Sequence, residues 1–144
     1  MKHINHQISI QLLQRAKTIA DKAYAPYSNF FVGAAVLTSS GNIYEGCNVE
    51  NASYGLTLCA ERNALSSMIV AGNKKFEAIA VVAKKNTDEG LKEVSGCFPC
   101  GACRQWLYEF GPDAVVITED KQNQPVFTAV RDLLPEAFGP EALE

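Results

Sequence analysis

The chain has five cysteines, at positions 47, 59, 97, 100 and 103, and its reactive potential is concentrated there. An odd number of thiols, in a chain expected to work in a reducing compartment, argues against a disulfide framework and for metal ligation, catalysis or burial. Cys97, Cys100 and Cys103 recur at an interval of three within "GCFPCGACRQ", and Cys59 opens "CAE", which puts the carboxylate of Glu61 two residues after a thiol. Three sulfurs meeting at one point fill three corners of a zinc tetrahedron and leave the fourth for water, the open arrangement of a catalytic rather than a structural zinc. A carboxylate beside such a centre, not needed as a ligand, can move protons between water and a substrate.

Those roles depend on the elements that carry the residues. "LCAERNALSSMIVAG" has Ala60, Ala64, Met68 and Ala71 at helical intervals and Gly72 as a stop, which predicts a helix whose first turn holds Cys59, Ala60 and Glu61. Pro99 suits a first helical turn, because its missing N–H would be unpaired there anyway, and it predicts a further helix, "PCGACRQWLYEF", ending at Gly111. Residues three apart share a helix face, and a helix amino end favours thiolate over thiol through its free N–H groups and positive dipole. Cys59, Cys100 and Cys103 therefore sit where a metal-binding thiolate is easiest to make. Cys97 falls in the loop ahead of Pro99, off that face, and reads as a bystander thiol. Cys47, after Gly46 in a strand pattern, reads as a small buried apolar residue.

Around these helices the chain alternates between periods. Leu12, Leu13, Ala16, Ile19, Ala20 and Ala23 predict an amphipathic first helix that stops before Pro26. The runs 30–38 and 42–50 flank "SSG" as a hairpin, and the apolar run 76–83 reads as a central strand covered on both faces. The polar stretch 84–96 reads as a surface loop; "AVVIT" and "PVFTAV" are short strands about "EDKQNQ", and one helical turn precedes Pro135. The order predicts an α/β fold, a three-layer α/β/α sandwich with a mixed, mainly five-stranded sheet, in a single domain over 1–144. A formal net charge of −3 without a run of lysines or arginines disfavours a nucleic-acid partner. With neither a signal-peptide pattern nor a stretch able to span a bilayer, the expected location is the cytoplasm, away from membranes.

"CAE" and "PCGAC" match the three-cysteine form of the zinc deaminase signature. More widely, "YAPYSNFFVGAAVL", "GCNVENASY", "CAERNAL", "PCGACRQ" and "LLPEAFGP" resemble, in order, the blocks of the small cytidine deaminases, the homotetrameric zinc-dependent type of the cytidine/deoxycytidylate deaminase family. The resemblance implies one zinc ion per subunit on Cys59, Cys100 and Cys103, with Glu61 as proton shuttle. It implies hydrolytic deamination of cytidine and 2'-deoxycytidine to uridine and 2'-deoxyuridine, releasing ammonia, as a step of pyrimidine salvage. Three thiolates and a hydroxide outweigh the charge of zinc, so a nearby cation helps. Arg62 and Arg104 are the candidates, and the resemblance favours Arg62 as the one hydrogen-bonded to ligand sulfurs. It also makes Asn48 and Glu50 a ribose-binding pair, Phe30 the aromatic against the base, and Ala60 a further substrate contact. Tyr54 and the carboxy-terminal Phe138 become contributions from neighbouring chains of a homotetramer with shared sites.

Taken singly, the same residues have plainer readings. Glu61 is a solvated helix-start carboxylate, Phe30, Tyr54 and Phe138 are core or interface aromatics, and Arg62 and Arg104 are surface charges. Asn48 caps a turn, Glu50 is an edge-strand charge, and His3 and His6 lie too near the terminus to be good ligands. Cys97, Cys100 and Cys103 also spell the beginning of an iron–sulfur run, although Leu107 stands where the fourth cysteine belongs. Cys59 could supply that ligand or close a four-sulfur structural zinc, but either reading leaves Glu61 and the sugar-side blocks unused. Cysteine rather than histidine at position 59, with no basic patch, favours a free nucleoside over nucleic acid or free base. "NVEN" favours cytidine over a nucleoside-like antibiotic. Three features depart from the family pattern: Phe98 before the second motif, Asn63 in place of threonine, and the long charged stretch 84–96.

Overall fold

The computed structural model describes residues 4–144, so His3 lies outside the described residues. The first helix, α1 (His6–Ala20), is capped by Asn5, whose Oδ1 accepts a hydrogen bond from the Ile8 amide at 2.8 Å. Leu12, Leu13, Ala16 and Ala20 turn inward as their spacing predicts. The helix stops short of Ala23, because the chain turns there and Tyr24 pairs with Val49 instead.

Strands β1 (Phe30–Thr38) and β2 (Ile43–Cys47) form the expected antiparallel hairpin, in register from Gly33↔Cys47 to Leu37↔Ile43. β2 is shorter than the run 42–50, since Val49 bridges to Tyr24 and Leu58 outside the ladder. There follow α2 (Ala60–Val70), β3 (Phe76–Thr87), β4 (Gly90–Val94), α3 (Gly101–Phe110), β5 (Val115–Glu119), β6 (Pro125–Ala129) and α4 (Val130–Leu133). Tyr54–Leu56 and Pro140–Leu143 are single 3-10 turns.

The sheet has six strands, in the order β2-β1-β3-β5-β6, with β4 attached to the far end of β3. Among the described strands β3 and β5 pair in parallel and the other pairs are antiparallel, which makes the sheet mixed as expected. The sixth strand corrects the reading of 84–96 as a loop: β3 continues to Thr87 and returns as β4, paired from Ala83↔Val94 to Thr87↔Gly90. Every residue of β4 is exposed, so the ribbon buries no face and shows no apolar alternation by which a strand is recognised.

The central strand explains the layers. Ala78, Ala80 and Val82 of β3 pack on Leu12, Leu13 and Ala16 of α1, while Ile79 and Val81 pack on Ala64, Leu65 and Met68 of α2 and on Leu107 of α3. Alternate side chains thus meet helices on opposite faces, which is why the run is apolar throughout. The result is the α/β/α sandwich, with the starts of α2 and α3 on one side of the sheet.

Candidate active site

Cys59 is the N-cap of α2 and Cys100 the N-cap of α3, both in extended backbone conformation, and Cys103 lies fully buried in the first turn of α3. The caps fall one residue earlier in the helices than first-turn placement, and Pro99 lies ahead of the cap rather than inside the helix. A cap residue faces the free N–H groups of the helix start, a favourable place for a thiolate. The three sulfurs lie within 4.8 Å of one another, Cys59 Sγ and Cys100 Sγ at 3.7 Å. Sulfurs about 2.3 Å from a tetrahedral zinc stand about 3.8 Å apart, so this donor set fits that ion in both chemistry and spacing. Cys97 is not in the cluster and packs, half-buried, against the core beneath α2 and α3. The equal spacing of 97, 100 and 103 therefore does not describe one ligand set, and the iron–sulfur reading loses its third sulfur. Cys47, expected to be buried, is half-buried instead, and its carbonyl accepts from Asn63 Nδ2 at 2.8 Å.

Arg62 Nη2 donates to Cys59 Sγ at 3.2 Å and reaches the Thr57 carbonyl at 3.5 Å. The Cys59 thiol is pushed down to about 5, by its hydrogen bond with Cys103 first, and by Arg62 and Cys100 against the opposing effect of burial. That same hydrogen bond, with burial, pushes Cys103 upward. Arg104 does something else: its Nε donates to the Pro99 carbonyl at 2.7 Å and its Nη1 to the Leu133 carbonyl at 3.1 Å. It fastens the turn ahead of Cys100 to the end of α4. Of the two candidate cations, Arg62 is the one on sulfur.

Glu61 is only 4% exposed, which removes the reading of a solvated helix-start charge. Burial pushes its carboxyl upward, and the negative charge on Cys59 adds to the effect.

The residues expected on the sugar side, Asn48 and Glu50, flank Val49, which bridges to Leu58 just ahead of Cys59. Asn48 is buried and continues the pairing with β1 through its side chain: Oδ1 accepts from the Val32 amide at 2.8 Å, and Nδ2 donates to the Phe30 carbonyl at 2.9 Å. Glu50 Oε1 accepts from the amides of Tyr27 at 3.0 Å and Ser28 at 3.2 Å, and Oε2 accepts from the Ser28 hydroxyl. Partial desolvation pushes the Glu50 carboxyl up, but these hydrogen bonds, Ser28 foremost, outweigh it and hold it below the ordinary carboxylate range. Phe30 is half-buried at the start of β1, and the Ala60 side chain is fully buried.

Tyr54 and Phe138 are 74% and 63% exposed, and the Tyr54 ring stands 5.7 Å from that of Tyr27. Ser28 and Tyr27, which hold Glu50 and Tyr54, were not among the residues singled out from sequence. Their only signal is the "PYS" turn, which says nothing of a carboxylate twenty-two residues later.

The profile described as the cytidine and deoxycytidylate deaminase zinc-binding region matches residues 6–119. A cytidine deaminase of Sporosarcina psychrophila is 45% identical over 135 residues, 92% of this chain and 93% of its own. The crystal structure of cytidine deaminase from Burkholderia pseudomallei superposes with a TM-score of 0.78 at 47% identity, covering 96% of this chain and 100% of that one. A blasticidin-S deaminase of Bacillus cereus is more distant, 31% identical over 137 residues, 94% of this chain and 96% of its own. With the three-thiol cluster where a zinc-binding region requires it, this chain belongs to the cytidine and deoxycytidylate deaminase family.

Proposed function

We propose that this chain is a zinc-dependent hydrolase that converts cytidine and 2'-deoxycytidine to uridine and 2'-deoxyuridine with release of ammonia, within pyrimidine salvage. The observation that carries the reading is the meeting of Cys59, Cys100 and Cys103 at two helix caps beside the buried Glu61. Those three cysteines would hold one zinc ion per subunit, with Arg62 offsetting their charge. The ion supplies the Lewis acidity that makes a water nucleophilic near neutral pH.

Glu61 is the group that moves protons. It takes one from the attacking water and delivers it to N3 of cytosine as the new C4–O bond forms. It then carries the second to the exocyclic nitrogen as the C4–N bond breaks and ammonia departs, leaving the C4 carbonyl of uracil. Its burial excludes the bulk water that would otherwise compete for those protons.

For the sugar, Glu50 offers a carboxylate already oriented by Ser28 and Tyr27, with one lone pair of Oε2 left for a ribose hydroxyl. Asn48 spends one N–H and one lone pair on β1 and keeps its second N–H for the ligand. Phe30 packs on the base. Ala60 contributes through its main chain, since its side chain is fully buried. The 31% identity with a blasticidin-S deaminase, against 45% with a cytidine deaminase, supports the nucleoside over the antibiotic.

Tyr54 and Phe138 belong, in this proposal, to the sites of neighbouring chains in a homotetramer. Exposed apolar residues support the assembly: Tyr24, Val49 and Leu58 are joined by bridges, the rings of Tyr27 and Tyr54 are in contact, and Leu56 lies in the same 3-10 turn as Tyr54. Residues 1–144 would form one catalytic domain working in the cytoplasm; among the described residues no helix is long and apolar enough to cross a membrane.

The test is the ultraviolet change of cytidine to uridine, followed before and after chelation and with Glu61→Gln. Turnover that stops with the chelator and returns with zinc is expected. Glu61→Gln should lose about 10²-fold or more in kcat while retaining zinc. Iron with visible absorption in the pure protein, or zinc lost from Glu61→Gln, would overturn the assignment.

A further inference from the structure

Beyond α4 the chain crosses back over α3 and is fastened there at two points. Gln105 Nε2 donates to the Phe138 carbonyl at 2.7 Å. Further along the same helix, the Tyr108 hydroxyl donates to Glu141 Oε1 at 2.8 Å. Between them lies Gly139, whose extended backbone runs so near the Tyr108 ring that a Cβ would stand 2.4 Å from Cε1. The ring is itself held: it is buried, the Arg131 guanidinium lies 5.8 Å from its centroid, and Arg131 Nε is paired with Asp113 Oδ1 at 3.0 Å. The Ala142 amide donates to the Gly139 carbonyl at 3.0 Å and closes the 3-10 turn that follows.

The side chain of Phe138 contrasts with this main chain, being 63% exposed. A large aromatic on an unfastened segment would collapse onto its own surface or sample many positions. Here the backbone on its carbonyl side is tied to a helix, so the main chain that carries the ring is placed before any ligand arrives and only the side-chain rotation is left to order. The helix concerned is α3, whose N-cap is Cys100 and whose first turn holds Cys103. The position of Phe138 is thereby referred to the element that carries two of the three thiols.

We propose that Gln105 and Tyr108 on α3, with Gly139 and Glu141 in the strap, form a clamp that sets Phe138 in place for the substrate of a neighbouring subunit. They are positioning residues and touch no substrate. The inference rests on the reading of Phe138 as a contact contributed across subunits.

The experiment is steady-state kinetics on cytidine for Phe138→Ala, Tyr108→Phe, Gly139→Ala and the double variant Phe138→Ala/Tyr108→Phe, with zinc content and assembly size measured on each. Tyr108→Phe keeps the ring and loses only the bond to Glu141; KM should rise about fivefold with kcat little changed and with zinc and assembly intact. Gly139→Ala, which cannot keep the strap against the ring, should raise KM by about tenfold. Phe138→Ala should raise it by at least as much, and the double variant should be no worse than Phe138→Ala, because without the aromatic its clamp has nothing to position. If Phe138→Ala leaves KM unchanged, the cross-subunit reading fails and the clamp with it. If Phe138→Ala raises KM but Tyr108→Phe is silent, or its effect multiplies in full with that of Phe138→Ala, the clamp is overturned while the cross-subunit aromatic stands. Loss of zinc or of assembly in Tyr108→Phe would likewise overturn it in favour of a general structural role.

Discussion

Gly46 of β2 lies so close to Ala64 of α2 that a Cβ on Gly46 would stand 2.4 Å from the Ala64 amide nitrogen, and 2.5 Å from the Ala60 carbonyl. Both contacts are to main chain, so a side chain here cannot be accommodated by a rotamer change. The first turn of α2 must lift from the strand, and Cys59 and Glu61 move with it. Gly46→Ala should therefore destabilise the fold by about 1–3 kcal/mol, as overpacking does. Thermal unfolding would show the loss, and metal analysis after dialysis should show reduced zinc, since one thiol leaves a cluster now spanning at most 4.8 Å.

Arg62 is the cation in contact with the Cys59 sulfur, and Arg104 is occupied by two carbonyls elsewhere. Arg62→Gln keeps a donor but removes the charge that offsets the thiolates. Zinc affinity should fall about 10–100-fold, the range for partners of metal ligands, as measured by competition with a chromogenic chelator. Arg104→Gln should leave that affinity nearer the parent value and lower the melting temperature instead. Equal affinity losses in the two variants would contradict this division.

The thiols and their helix starts were legible because both signals are local: a cysteine followed by a helical period, and a proline before another. The apolar run around Val81 was legible for the opposite reason, as burial on both faces leaves no polar residue to obscure it. The β4 ribbon was not, since charged residues on two solvated faces look the same in a strand and in a loop. Nor was the use of the Asn48 amide as a substitute for ladder hydrogen bonds, or the cradle that Ser28 and Tyr27 make for Glu50. These depend on which loops the fold brings together, and residue type alone does not encode that.

Cys97 follows Gly96, whose amide is bonded to the Glu119 carbonyl at 3.0 Å, and its side chain packs on the core. It does not belong to the sulfur cluster. Cys97→Ser should keep one zinc per subunit and an unchanged kcat on cytidine. A hydroxyl in a half-buried apolar position should lower the melting temperature by about 4 °C for each kcal/mol lost, with about 1 kcal/mol expected. Loss of zinc from this variant would return Cys97 to the ligand set.

Lys17 reaches from α1 to two strands at once: its Nζ lies 2.7 Å from Glu119 Oε1 on β5 and 3.6 Å from Glu93 Oε2 on β4. Glu119 is only 9% exposed, so it depends on this ammonium more than a surface carboxylate would. Burial by itself pushes the Lys17 ammonium down, but the hydrogen bond and charge of Glu119, with Glu93 behind it, outweigh that and raise it above the ordinary lysine value. A raised value in the folded state means stability that is fully present below the unfolded value of about 10.4 and is lost as pH rises through the higher folded one. Lys17→Met should accordingly melt below the parent protein at pH 8, and the gap should persist to about pH 10 and close only above it. Other groups that titrate in this range do so in both proteins and drop out of the difference. A gap that closed between pH 5 and pH 8 would mean that the carboxylates, not the ammonium, govern the contribution. Because the same lysine ties β4 to β5, hydrogen exchange in the 84–96 ribbon should quicken in Lys17→Met while that of α2 stays unchanged.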